Sequence, residues 1–457
     1  NPFDLTLRVG DARRTVRIQP VSRPELDDTT AVVRYPKYLQ YPETVEGVRG
    51  TVFPYLEGSM VKFRGQVQDG GDRSLTEVIA RATRAIGSEV QNQKTIIKSD
   101  ILETAFLDLD EFEEMEITWS DQYQIAGAAS WKLMFERRSD QLPHRVEAVL
   151  WMDGKTLHAP EVGILRSQVV EIPMVGEDDY GMRELAVEWF CWKRDGTNLV
   201  KRSLNRQTKK PGTDRLASFK PQTKTGSATF LFDPGDNAMN IPEGTVVDVY
   251  AVASDYYLND RSARSLPVRI HILTKEEHAQ LIQQNFESKM AELDDLVRRE
   301  ENLEDATRET GEMKLEDMKA EQTDKQIARQ EQEQKDIADK LKELAKDIEE
   351  LAKEALKNPE MDPTDLAKMA EIAKKMKEAA AKEMAAAKAA LKLAMENKQD
   401  RKENLDDAEK KEKEAKEKLQ ELQENAEETA QAMYANTLVK RLRKIAKFEE
   451  ASYRNFP

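Results

Sequence analysis

Two histidines, one cysteine and one compact acidic phrase are the places where this chain could do chemistry. His271 and His278 are seven residues apart. His271 falls on an alternating strand, out of phase with Val268, Ile270 and Ile272, and His278 on the helix that follows, so they make a poor metal pair. Cys191 shares the alternation of Leu185 and Trp189 and reads as an apolar core residue. A nucleophilic thiol needs a neighbouring base, and nothing in the local sequence supplies one. Glu177-Asp-Asp-Tyr-Gly181 is the densest acidic phrase. Carboxylates on a loop between β-domains can hold calcium, but this spacing matches no ligand loop, so a turn fixed by Gly181 is the expected reading. No Gly-rich phosphate loop, GxSxG elbow or HExxH pair occurs. The expectation is a non-enzymatic chain with no catalytic, cofactor-binding or metal-ligating residue and no cofactor.

Composition narrows the partners. The 457 residues carry a net charge of −15, which disfavours general nucleic-acid binding, because phosphate contacts need clustered Lys and Arg. A single cysteine rules out an internal disulfide framework. No apolar run approaches the roughly 20 residues of a membrane span. The sequence opens at Asn1, inside what reads as a strand, so a fragment or processed form is expected.

Alternation and turn residues then divide the chain. Residues 1–30 read as a strand pair turning at Gly10-Asp11, left from an incomplete β-domain, plus a linker. Residues 31–141 show short strands at regular spacing, with a short helix suggested between Ser74 and Ile86, and imply a β-sandwich. Residues 142–273 read as a second sandwich, with Thr245–Ala253 as its central strand, a hairpin closing at Asp195-Gly196 and a mobile loop over 201–225.

From Thr274 to Ala451 the composition is that of strong helix formers. Thr274 and Glu277 fit a capping box, and Pro359 and Pro363 break the helix. Arms 274–357 and 364–451 then predict one long antiparallel helical hairpin turning at 358–363, with a tail at 452–457. Each arm would reach about 125 Å. Ile337, Leu341, Leu344, Ile348, Leu351 and Ala355 form a coiled-coil seam, as do Leu405, Ala408, Ala415, Leu419, Leu422, Ala426, Thr429 and Met433. Folding at the prolines sets Leu303 near Leu419 and Leu296 near Ala426. Gln322, Gln330, Gln334 and Gly311 interrupt the seam, and Asn397-Lys-Gln-Asp400 could split the second arm, which leaves a shorter three-helix bundle as the alternative. Met361, Met369, Met376 and Met384 would sit at an adaptable tip. The basic run Lys440–Lys447 would return to the β-domains, either to complement the acidic first arm or to face anionic lipid or an acidic partner.

Tyr35-Pro-Lys-Tyr-Leu39 with Tyr41-Pro42, Tyr55-Leu-Glu-Gly58, Glu177-Asp-Asp-Tyr-Gly181 and Ser262-Ala-Arg-Ser-Leu-Pro267 together resemble the domain-of-unknown-function 4175 type of bacterial envelope protein. The resemblance implies a membrane anchor, immunoglobulin-like domains and a long coiled coil, and it brings no established activity. The expected function is an extracytoplasmic envelope scaffold that docks protein partners, or itself, through the hairpin. It would use no nucleic acid and no small-molecule substrate, and membrane association would come from a segment outside this chain. A periplasmic adaptor of a transport or secretion machine is the alternative, and a carbohydrate-binding sandwich the third reading.

Overall fold

The structure, a computed structural model, describes residues 2–67, 74–152, 154–157, 161–195, 199–204, 212–257, 261–314, 316, 318 and 320–454. Phe3–Val9 and Ala12–Ile18 form the expected antiparallel pair around Gly10, whose φ of +60° suits a tight turn. The pair forms a sheet of its own, exposed along almost its whole length.

The first β-unit is two sheets facing across one core. One sheet runs Thr44–Gly47, Leu26–Arg34, Met60–Val67, Ile101–Thr104, Thr95–Lys98; the other runs Val52–Leu56, Trp131–Arg138, Phe112–Asp121, Leu75–Arg84, Val90–Gln93. Phe63 from the first sheet lies 5.2 Å edge-on from Phe53 and 5.8 Å stacked from Phe135 of the second. Residues Leu75–Arg84 are a strand, not the short helix their spacing suggested. Their register against Phe112–Asp121 shifts by a bulge at Ser120/Asp121, and this shift breaks the alternation that sequence alone could see.

The second unit repeats this plan. Val170–Glu177 lies between Arg145–Ala148 and Thr225–Phe232 in one sheet. In the facing sheet Thr245–Asp255 is central, flanked by Met182–Lys193 and Val268–Leu273. In each unit one strand joins in parallel: Val52–Leu56 on Trp131–Arg138, and Glu161–Leu165 on Val268–Leu273. The loop expected over 201–225 holds a strand, Asp214–Ser218, paired with Met182–Lys193; the turn at Gly196 lies outside the described residues.

The helical segment corrects the long hairpin. The capping box forms as expected: Thr274 Oγ1 accepts from Glu277 N at 3.2 Å, and Glu277 Oε2 accepts from Thr274 N at 2.9 Å. The chain then makes α1 (Lys275–Gly311), α2 (Glu321–Leu356), α3 (Pro363–Ala381), α4 (Glu383–Glu396) and α5 (Arg401–Arg454). Both arms break, after Gly311 and at Asn397–Asp400, so the hairpin is folded double into an antiparallel four-helix layer with α3 and α4 end to end. At 37 residues α1 spans about 55 Å, less than half the expected arm. The fold-back pairing itself survives: Thr307 meets Glu412, Lys416 pairs with Glu304, and Gln423 with Asp294, while Lys377 pairs with Glu349. Both seams are buried except for half-buried Leu351. The proline turn sits at the base, where Asn358 Nδ2 donates to Lys275 O at 2.7 Å. Met361, Met369, Met376 and Met384 are buried in the helical core, so they make no exposed tip. Among the described residues, no helix is long and apolar enough to cross a membrane.

Two polar features hold this bundle. At the far end buried Arg401 reaches across both breaks: Nε donates to Ala394 O at 2.9 Å, the guanidinium bonds Met318 O, and Nη2 donates to Asp324 Oδ1 at 2.6 Å. Midway, the interrupting Gln330 and Gln334 are buried and paired, with Thr310 at 3.1 Å and Glu300 at 3.0 Å, whereas Gln322 is exposed. Glu412 lies opposite, bonded by Thr307 at 3.0 Å. Burial pushes the Glu412 carboxyl up to about 9 and Glu300 up to about 7; nearby Glu300, Glu304 and Glu409 act in the same direction on Glu412.

Two outcomes follow from these contacts. Arg401→Ala strands buried carbonyls and Asp324, and is expected to lower stability by roughly 2–4 kcal/mol in urea unfolding. Folding tightens the hold of Glu412 on its proton, so that contribution is full below about pH 4 and is lost as pH rises towards 9. Glu412→Gln keeps an acceptor for Thr307. It should raise stability by roughly 2–4 kcal/mol at pH 8 and change it little at pH 4.5, read by urea unfolding at the two pH values.

Candidate functional site

The richest polar constellation lies where the two sandwiches meet. Three segments distant in sequence build it. From the first sandwich comes the turn after Leu26–Arg34, carrying Tyr35, Tyr38 and Tyr41 around a short 3₁₀ helix, Lys37–Leu39. The connection between the units contributes Asp140. From the second sandwich come the turn 177–181 and the end of the central strand, Asp255 with Tyr257 and Arg261.

Each acidic side chain is fixed locally. Asp178 Oδ2 accepts from Tyr180 N at 3.1 Å and Gly181 N at 2.6 Å, the side-chain-to-backbone turn that Asp favours. Gly181 has φ +145°, and a Cβ there would come within 3.1 Å of Gln222 N, so the expected reading of a glycine-fixed turn holds. Asp255 Oδ1 accepts from Tyr257 N at 3.0 Å, and Oδ2 from Arg261 Nη2 at 2.9 Å. Asp140 Oδ2 accepts from the Tyr38 hydroxyl at 2.8 Å, and its main-chain oxygen accepts from Arg261 Nη1 at 3.0 Å.

Aromatic contacts close the joint. Tyr38 and Tyr257 pack edge-on at 5.3 Å, and the Arg261 guanidinium lies 3.9 Å over the Tyr257 ring. The Tyr41 hydroxyl donates to Tyr180 O. Burial pushes Asp140 up to about 6; the Tyr38 hydrogen bond opposes this, and Asp179, Asp255 and Asp178 reinforce it. Burial likewise raises Asp178 and Asp255 above the usual carboxylate range.

The other candidates do not converge here. Cys191 is buried in the second sandwich, and burial pushes its thiol up, as for an inert core cysteine. His271 Nε2 lies 3.3 Å from Glu161 on the neighbouring parallel strand. His278 is buried at the bundle base, 3.4 Å from Glu354, which also accepts from Gln168 of the second sandwich at 2.7 Å. Burial would raise Glu354, but the His278, Lys357 and Gln168 hydrogen bonds outweigh it and hold the carboxyl down to about 2. This network, with Lys155 on Glu350 at 2.9 Å and Arg194 on Glu277, ties the bundle to the sandwich. In the basic run, Lys440 donates to Glu360 O at 2.5 Å, and Lys444 pairs with Glu276 and Glu360, which favours the complementing role.

Sequence reasoning reached the 177–181 turn but not Asp140, Asp255, Tyr38 or Arg261 as its partners. The local signals were present, in a joint-like phrase beginning at Asp140 and a strand ending in Asp255-Tyr-Tyr257, but nothing in the spacing joins them.

No family model matches the sequence, and no curated protein matches it. Solved structures give low-level likenesses, three among them as follows. A DUF4785 family protein from Legionella pneumophila is 16% identical over 47% of this chain and 54% of its own, with a TM-score of 0.18, so the chain spans about half of that protein. A structure described as pT26-6p is 12% identical over 83% of this chain and 86% of its own, also at 0.18. The adhesin InvE of Yersinia pseudotuberculosis is 8% identical over 54% and 59%, again at 0.18. Likenesses at this level carry no argument.

The joint makes one mutational expectation specific. Arg261→Ala leaves Asp140 and Asp255 facing each other in a buried site, and should lower the stability of the joint by roughly 2–3 kcal/mol. Limited trypsin digestion should then nick the connection at Arg138 and Arg145 faster than in the native chain. Unchanged cleavage would mean that Arg261 does not hold the two units together.

Proposed function

We propose that this chain is a non-enzymatic scaffold of the bacterial envelope, extracytoplasmic and of the domain-of-unknown-function 4175 type, with protein partners or a second copy as its ligands. Membrane attachment, in this reading, is supplied by a segment outside the chain. Its two β-sandwiches are immunoglobulin-like: in both units an early strand leaves the sheet of the first strand and joins the facing sheet parallel to the last strand, which supports this. The phrases that carry the family resemblance also support it, since Tyr35–Pro42 and Glu177–Gly181 meet in one joint.

The observation that carries the docking role is the far part of α5. Lys444 lies against Glu276 at the start of α1, so α5 runs about ten residues past the bundle base. Leu438, Leu442, Ile445 and Phe448 recur along this end of α5, across the base, at helical spacing, and Leu442, Ile445 and Phe448 are 57%, 57% and 77% exposed. Among the described residues Arg441, Arg443 and Lys447 form no ion pair, so the stripe is rimmed by free positive charge. In this reading the contact surface lies at the base of the bundle rather than at a hairpin tip. The adaptor reading rested on a long hairpin and loses that support; for the carbohydrate-binding reading, Trp151, 39% exposed, is the one exposed tryptophan among the described residues.

Light scattering with small-angle X-ray scattering tests the self-association arm. The native chain should show a concentration-dependent dimer or larger species, and Leu442→Glu with Phe448→Glu should leave a monomer with unchanged helix content. A native chain that stays monomeric up to about 100 μM, well above the micromolar affinities of ordinary complexes, would overturn self-association.

A further inference from the structure

We infer that the joint between the sandwiches is a calcium site, with Asp140, Asp178 and Asp255 each giving one carboxylate oxygen to a single ion. The three donor oxygens lie within 4.8 Å of one another, and all three residues are at least 95% buried. An ion with Ca²⁺–oxygen distances of about 2.4 Å has a coordination shell about 4.8 Å across, so the three oxygens are spaced within the reach of ligands to one ion. The donor set is oxygen only, with no histidine or cysteine among the three residues, which suits a hard cation rather than a transition metal.

A cluster of acids could be neutralised from within, and this one is not. Asp178 Oδ1 is sealed from solvent and accepts no hydrogen bond, although the residue is only 2% exposed. Asp140 Oδ1 is likewise without a hydrogen bond, with Arg261 Nη2 3.6 Å away. The adjoining Asp179 Oδ1 is a third such atom. Arg261 reaches two of the three acids, Asp140 and Asp255, and it is already committed to Asp255 Oδ2 and the Asp140 main chain. Buried carboxylate oxygens without donors are costly, and a divalent ion satisfies them together. Its two charges added to that of Arg261 match the three ligand carboxylates. Bound there, the ion would join the connection between the units to two turns of the second sandwich, beneath the tyrosines of the first.

The test titrates Ca²⁺ into the EDTA-treated full chain by calorimetry, with Tb³⁺ luminescence as a second readout, because Tyr38, Tyr180 and Tyr257 flank the site as sensitisers. One saturable Ca²⁺ site with Kd below about 1 mM is expected. Excess Ca²⁺ should quench the tyrosine-sensitised Tb³⁺ signal. Asp178→Asn keeps a carbonyl acceptor for the turn and should weaken Ca²⁺ binding at least 30-fold. Absence of saturable Ca²⁺ binding by the native chain overturns the inference, as does undiminished affinity in a folded Asp178→Asn chain. If circular dichroism shows that variant to be unfolded, Asp255→Asn is decisive in its place. Neither readout depends on the oligomeric state, so a failure here is distinct from a failure of the scaffold reading.

Discussion

Helix α3 cannot cover its apolar face with a single neighbour. A two-stranded coiled coil hides a narrow a/d stripe, whereas a bundle hides one about 100° wide or more. In α3, Leu366, Met369, Ile372, Ala373, Met376, Ala379 and Ala380 are all buried, a stripe that takes in adjacent pairs on successive turns. Extended as a hairpin, that second edge would face water. Doubling the hairpin over hides it, and the alanines let the helices approach closely. The short bundle, the burial of the methionines and the return of the proline turn to the base all follow from this one requirement.

Polar groups then decide how the doubled bundle is assembled. Glu300 with Gln334 and Thr310 with Gln330 occupy seam positions where leucine would give more burial energy. A buried polar layer matches only itself, so it discourages helices from sliding by a turn relative to each other. Arg401 does the corresponding work at the far end, where from the start of α5 it bonds the Ala394 carbonyl on the other side of the break and reaches across to Met318 O in the turn before α2.

Much of this was legible before any coordinates. The strand pair, the central strand expected over Thr245–Ala253, the capping box and both seams follow from local period and composition. The antiparallel pairing of α1 with α5 was legible too, because it depends only on where the prolines turn the chain. The doubling was not, since the break after Gly311 has no proline, and a glycine in a helix is usually tolerated. At the joint, the Asp178 turn is written in five consecutive residues. Its meeting with Asp140 and Asp255 depends on how two sheets pack, and that information is spread over both cores.

Because the bundle contains an even number of passes, the chain arrives at Lys275 and departs near Lys444 at the same end, with Lys444 held to Glu276. Tension between Lys275 and Lys444 would therefore not run along the helices. It would pull α5 away from α1 sideways, one turn at a time from the base, a geometry in which bonds break in sequence rather than together. The bundle would then act as a releasable clasp hung beside the line of force.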